Sequence, residues 1–211
     1  MVHRTPFILP LLYPSLTWRM PSGGKQLFLT FDDGPVPGPT EFVLDTLRMY
    51  NIKATFFCIG DNIRKHPVVF KGIIEGGHKI GNHTQNHLNG WKTAKSNYVE
   101  NVAECTKQIA GHLPAASGST NIFRPPYGRI TRNQIKSLAN FKIIMWDVLS
   151  IDYNDRLSST RCLKNTIDAS RPGSIIVFHD SYKAEKNLTF VLPKYIEHFL
   201  TLGFEFKVVP G

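Results

Sequence analysis

Gln26-Leu27-Phe28-Leu29-Thr30-Phe31-Asp32-Asp33-Gly34-Pro35 is the stretch on which the fold turns. Its first six residues form an apolar run of strand length, which breaks off into two adjacent carboxylates and a Gly-Pro turn. Fifty residues later, His83-Thr84-Gln85-Asn86-His87 carries two imidazoles at i and i+4. An acidic pair and a histidine pair are the parts of a metal-hydrolase site: one carboxylate and two histidines as ligands, one carboxylate left as base. Each has an ordinary reading as well. Asp-Asp-Gly-Pro is good turn chemistry, and an isolated pair of histidines is often only surface. Their joint occurrence after neighbouring strands favours the site, because ligands need positions fixed by backbone.

Outward from this stretch, short apolar runs alternate with longer amphipathic ones. Strands are expected at residues 26–31, 54–59, 78–81, 121–123, 142–146, 174–178 and 204–209, and helices at 40–49, 67–75, 96–112, 131–138, 158–169 and 188–202. Gly and Pro punctuate the junctions, as at Gly76-Gly77 and Pro172-Gly173. Strands alternating regularly with helices predict a parallel sheet. Seven such strands could close into a barrel or stay open and doubly wound, and the first strand lacks the Gly-x-Gly-x-x-Gly turn of a dinucleotide fold.

The polar residues argue for the barrel. Asp32 and Asp33 follow the first strand, His83 the third, Arg124 the fourth, Asp147 and Asp152 the fifth, His179 and Asp180 the sixth. In a parallel β/α barrel all those strand ends share one rim. An arginine there, ahead of Pro125-Pro126, can hold a carboxylate ionised through charge-assisted hydrogen bonds. A histidine past an apolar strand, as in Ile175-Ile176-Val177-Phe178-His179, sits where a general acid is needed. The expected fold is therefore α/β, a single-domain distorted (β/α) barrel of about seven parallel strands, with residues 1–24 an N-terminal extension packed on a catalytic domain at 25–211.

Bulk properties narrow the function. The 211 residues, 42% hydrophobic and 19% charged, describe one ordinary globule with a substantial core and no low-complexity tract. The formal net charge of +9 attracts polyanions, yet the basic residues are scattered and no nucleic-acid module is present, so no nucleic-acid partner is expected. The three cysteines, Cys58, Cys105 and Cys162, are far apart, without metal-site spacing or a disulfide framework. The apolar piece at residues 7–13 is short and broken by Pro10. There is no clear signal peptide and no run approaching the roughly 20 apolar residues of a membrane span. These features point to the cytoplasm or to export by an unrecognised route.

Five segments together resemble the polysaccharide deacetylases of carbohydrate esterase family four, from about Lys25 to the C-terminus. Thr30-Phe31-Asp32-Asp33-Gly34 is similar to the family's first motif, His83-Thr84-Gln85-Asn86-His87 to the second and Arg124-Pro125-Pro126-Tyr127 to the third. Asp152-Tyr153 resembles the end of the fourth, and Val177-Phe178-His179 the fifth. The resemblance implies that Asp33, His83 and His87 bind one divalent metal, usually zinc, with cobalt, nickel or manganese also accepted by such donors. It implies Asp32 as general base oriented by Arg124, His179 as general acid tuned by Asp152, and the Tyr127 backbone N–H as an oxyanion donor. Trp146 and Val177 would shape the acetyl pocket, with Pro125 and Tyr153 beside them. Three positions depart from the pattern: Leu149 stands for an aspartate, Tyr153 for a tryptophan and Val177 for a leucine. They bear on groove shape and acyl preference.

The activity so implied is metal-dependent removal of N-acetyl groups from GlcNAc-containing glycans, either chitin oligosaccharides or peptidoglycan. Trp91, Tyr127, Trp146 and Tyr153 lie near rim loops, where aromatics could stack on sugar rings or simply pack. Two alternatives use the same barrel: a deacylase of a small sugar-linked or other non-polymeric amide, and a catalytically lapsed carbohydrate-binding protein.

Overall fold

The computed structural model of the chain describes residues 3–21, 23–113 and 120–211; residues 1, 2 and 22 of the expected extension lie outside them. The strands are β1 (Gln26–Asp32), β2 (Thr55–Cys58), β3 (Lys79–Asn82), β4 (Ile122–Phe123), β5 (Lys142–Ile143), β6 (Val148–Leu149), β7 (Ile175–His179) and β8 (Glu205–Phe206). Seven run in the order β5-β4-β3-β2-β1-β7-β6, and β8 pairs with the start of β1. Every pairing is parallel, as the alternation with helices predicts. The result is a curled, distorted (β/α) barrel.

The helices are α1 (Ile8–Leu12), α2 (Pro39–Met49), α3 (Gly60–Lys65), α4 (Pro67–Glu75), α5 (Lys95–Ala110), α6 (Arg132–Ser137), α7 (Ser159–Ala169) and α8 (Glu185–Thr201). Local chemistry fixes several starts. Thr131 and Gln134 form a reciprocal capping box on α6, and the Ser158 side chain accepts from the Arg161 N–H at the head of α7. No helix of the described residues is long and apolar enough to cross a membrane.

Side chains alternate across the strands with period two, and that alternation builds both layers of the core. Leu27, Leu29 and Phe31 of β1, Phe56 and Cys58 of β2, and Ile176 and Phe178 of β7 face the helices, meeting Val43, Leu47, Ile73, Val191 and Tyr195. Phe31 stacks between Phe56 and Phe178, with ring centres 5.0 and 6.2 Å away. Phe28, Phe57, Ile122, Ile144 and Ile175 pack together on the barrel's inside. The inward set of β1 is thus Phe28, Thr30 and Asp32, and that of β7 is Ile175, Val177 and His179. The same parity that fills the barrel carries Asp32 and His179 to its mouth, where the strand register sets them side by side.

The structure corrects the expected 142–146 strand. The strand ends after Ile143, and a separate β6 follows that the sequence reading did not anticipate, because Trp146 and Asp147 interrupt the apolar run. Asp147 therefore precedes a strand instead of following one. It lies away from the rim, where its carboxylate binds Arg171 Nε at 3.0 Å and Ser174 Oγ at 2.7 Å. The short α1 and α3 were also unforeseen.

The sheet path opens between β5 and β6, and the N-terminal segment runs along that opening. Arg4 bridges to Val148 and Thr17 to Ile144, with Leu149 N donating to His3 O and Met145 N to Thr17 O. Backbone groups that two edge strands would leave unpaired are satisfied in this way.

Candidate active site

The site is assembled from five strand ends, those of β1, β3, β4, β6 and β7. At the end of β1 the chain enters the left-handed region at Asp33 (φ 83°), a conformation that aspartate tolerates better than most residues. The turn is held from outside. Asp180, buried just past β7, accepts from Gly34 N at 3.0 Å and from Thr40 Oγ1 at 2.7 Å. A Cβ on Gly34 would lie 1.9 Å from Asp180 Oδ2, so only glycine fits there. Burial pushes the Asp180 carboxyl up to about 8, against the pull of its two donors.

His83 and His87 stand on a loop after β3, not on a helix. Thr84 (φ 65°) and His87 (φ 55°) are both left-handed, and this curls the loop so that both Nε2 atoms face Asp33. Thr84 N donates to Asn82 Oδ1 and Leu88 N to Thr84 Oγ1, while Asn101 of α5 accepts from Gln85 N and Asn86 N. Strained backbone over-determined by such bonds is common where side chains must be aimed.

Asp33 Oδ1 lies 3.1 Å from His87 Nε2 and 3.7 Å from His83 Nε2, and the three donor atoms fall within 4.8 Å of one another. This donor set fits a divalent metal. The outer nitrogens are engaged elsewhere: His83 Nδ1 lies 2.8 Å from Arg124 O, and His87 Nδ1 lies 3.1 Å from the Tyr127 hydroxyl. A carbonyl can only accept, so His83 carries its proton on Nδ1 and turns the Nε2 lone pair inward, as metal-binding histidines do. Burial holds His83 down to about 4, against the pull of Asp32, and so keeps it neutral at neutral pH. For Asp33, burial is outweighed by the His87 hydrogen bond and the His179 charge, which hold the carboxyl well below its ordinary value.

Asp32 is held differently. Its Oδ1 accepts from Arg124 Nη1 at 2.6 Å, and that same nitrogen donates to Thr30 Oγ1 at 2.7 Å. Arg124 is fully buried inside the barrel, with Nε on Ile144 O, Nη2 on Met145 O and its guanidinium 4.1 Å from the centre of the Phe57 ring. A buried guanidinium with its donors so engaged is a fixed counter-charge for one carboxylate.

Beside Asp32 on the neighbouring strand β7, His179 Nδ1 lies 2.7 Å from Asp152 Oδ1, and Asp152 Oδ2 accepts the His179 backbone N–H at 2.8 Å. Burial alone would lower the imidazolium, but Asp152, helped by Asp33 and Asp32, raises it to about 9. The Tyr153 ring meets the His179 ring edge-on at 4.9 Å.

Asp32, Asp33, His83, His87 and His179 line a cleft of about 560 Å³ together with Tyr127, Trp146, Tyr153, Leu149, Val177 and Lys183. Leu149 and Val177 are register partners on β6 and β7 and form an apolar wall. Trp146 reaches the cleft over Gly128, where a Cβ would meet its ring at 2.6 Å. Pro125 is buried in the turn behind Tyr127 and does not line the cleft, and neither does Trp91, whose indole N–H donates to Ile130 O. The residues to which the sequence reading gave no part in the site are Thr30, Asp180 and Lys183. Thr30 could have been found by counting back two from Asp32 on the same strand face.

With this geometry in hand, the sequence pattern of the polysaccharide deacetylase family matches residues 19–146. The chain belongs to the polysaccharide deacetylase family. The matched span contains Asp32, Asp33, His83, His87, Arg124 and Tyr127 and ends before Asp152 and His179. A peptidoglycan-N-acetylglucosamine deacetylase of Bacillus cereus is 35% identical over 197 residues, covering 90% of this chain and 69% of that protein. A chitooligosaccharide deacetylase of Bradyrhizobium sp. is 31% identical over 176 residues, 82% of this chain and 79% of the relative. Among solved structures, a peptidoglycan N-acetylglucosamine deacetylase in complex with an N-oxidanyl-benzamide superposes with a TM-score of 0.89 at 32% identity, covering 98% of this chain and 95% of that one. Sequence and fold agree on this membership.

Proposed function

We propose that the protein hydrolyses the N-acetyl group of N-acetylglucosamine units in a glycan, peptidoglycan or chitin oligosaccharide, releasing acetate and a free amine, and does so with a divalent cation, zinc by preference. The observation that carries this reading is a carboxylate and an imidazole, neighbours in strand register, each held by its own buried partner beside one three-donor cluster. Arg124 holds the carboxylate and Asp152 the imidazole. A cation held by Asp33, His83 and His87 would polarise the amide carbonyl and make the attacking water more acidic.

Asp32 takes the water proton as the oxygen bonds to the carbonyl carbon, and Arg124 keeps Asp32 ionised and aimed until then. The charge that builds on the carbonyl oxygen is received by the Tyr127 backbone N–H. An amine is expelled only when protonated, so His179 gives its proton to the nitrogen as the carbon–nitrogen bond breaks. The acetyl methyl rests against Leu149, Val177 and Trp146. Leucine where the family has aspartate makes this wall more apolar, which suits a methyl group.

The test is acetate release from GlcNAc oligomers and from peptidoglycan by zinc-loaded protein, chelated protein and the Asp32→Asn variant. Release should need the cation and fall by about 10²–10⁴ in Asp32→Asn with cation binding retained, the range for loss of a general base. Cation bound without release on either glycan would favour the small-amide reading. No cation bound would leave a lapsed carbohydrate-binding protein.

A further inference from the structure

Beside the cleft opens a second pocket of about 590 Å³, and Tyr153 and Lys183 line both. Its remaining wall comes from His3, from the loop after β6 and from the face of α7 that carries Arg161 and Asn165, four residues apart and so on one side of the helix. Arg156 completes the basic set, and Asp155 is the one carboxylate on the lining. Among the described residues no salt bridge engages Arg156, Arg161 or Lys183, whereas Lys164, on the same helix, is paired with Asp168. The Lys183 ammonium instead sits 5.5 Å from the centre of the Tyr153 ring. Three cations thus face one carboxylate around a concave, solvent-open surface, and two of the three are guanidinium forks shaped to take an oxyanion.

The position of Tyr153 ties this pocket to the reaction. Its ring leans edge-on against His179, the side of the cleft where the amine departs and the sugar ring must lie. A glycan with its acetamide at Asp33, His83 and His87 therefore passes over Tyr153 into the basic pocket. We infer that this pocket is an anion-recognising subsite, in which Arg156 and Arg161 bind a carboxylate or phosphate on the sugar next to the one deacetylated. The inference rests on the proposed function and deepens it: the preferred substrate is an acidic glycan, such as one alternating GlcNAc with a lactyl-bearing sugar, in preference to a neutral GlcNAc polymer.

Arg156 and Arg161 are exposed, so Arg156→Gln with Arg161→Gln leaves the core untouched. Steady-state acetate release would be followed on neutral GlcNAc oligomers, on lactyl-bearing oligosaccharides, on the same compounds with the carboxyl amidated, and on phosphorylated ones. The double variant should lose about tenfold or more in kcat/KM on the acidic glycan, mostly through KM, and stay within about twofold on the neutral and amidated ones. A preference lost only on the phosphorylated compounds would name phosphate as the anion. Equal loss on all substrates, or loss on none, would overturn the inference. A binding titration with Asp32→Asn protein, read by tryptophan fluorescence, separates this from failure of the deacetylase reading. If wild type releases no acetate at all, acidic glycan binding about tenfold tighter than its amidated form, with the difference abolished by the double variant, still upholds the subsite, and equal binding sinks it.

Discussion

Asp152→Asn isolates the electrostatic work done on His179. The variant keeps the side chain's shape and its acceptor for the His179 backbone N–H, and it replaces the charged acceptor 2.7 Å from Nδ1 with a neutral amide NH2 that can only donate. In the wild type, burial opposes the imidazolium while Asp152, Asp33 and Asp32 favour it, and the balance lifts the group from 6.5 to about 9. That interval is worth about 3 kcal/mol of preference for the charged ring. Without the Asp152 charge, burial is opposed only by the two more distant carboxylates, and a cation on Asp33 removes most of what they contribute. The pKa should fall by about two units or more.

His179 must be protonated to act as the acid, so activity is lost as pH rises through its pKa. The alkaline limb of kcat/KM should therefore move from near 9 to near or below 6.5, and at pH 8 the variant should be slower by about tenfold to a hundredfold. Stability follows the same sign. A folded-state pKa raised above the unfolded value contributes stability that is complete below pH 6.5 and is lost as pH rises through about 9. The gap between wild type and Asp152→Asn in urea unfolding should be widest near pH 6 and close towards pH 10. An alkaline limb that stays near 9 in the variant would refute His179 as the titrating acid. A stability gap that widens with pH would refute the electrostatic account of the pair.

Two further outcomes are expected. Arg124→Met strips Asp32 of its buried counter-charge and should cost about 3–5 kcal/mol in urea unfolding. The double variant Arg124→Met with Asp32→Asn should recover a large part of this, since no charge is then left unpaired. Asp180→Asn keeps an acceptor for Gly34 N and exchanges the acceptor of the Thr40 hydroxyl for an amide donor to Thr40 Oγ1. Because the Asp180 carboxyl is raised by burial to about 8, the wild type loses stability as pH rises from 3.8 to about 8, and the variant should gain on it between pH 5 and pH 9.

Much of the fold was legible because the inner strands are apolar on both faces. Such runs stand out from the amphipathic helices between them, and their all-parallel pairing follows from the alternation. The two-residue strands were not legible in that way. Val148–Leu149 is too short to show a period, and the strand expected at 142–146 stops short of it. Where residues 3–20 pack is not visible in the sequence either, since their backbone bonds to Ile143, Met145, Asp147 and Leu149 depend on a gap between β5 and β6 that only the curled sheet creates.

The site was legible to the extent that strand ends are. Asp32, His83, Arg124 and His179 each end or follow an apolar run, and a barrel must bring such positions to one rim. Asp147 and Asp152 mark where that reasoning stops. Both are acidic, both lie close after apolar residues, and counting from a strand that was thought to end at Trp146 set them on the same rim. The extra strand separates them. Asp147 precedes β6 and neutralises Arg171 away from the mouth, whereas Asp152 follows β6 and faces His179. What an aspartate does in this barrel is decided by which end of a strand it occupies, and two residues of β-structure are enough to exchange a partner for His179 at the mouth for an outlying ion pair.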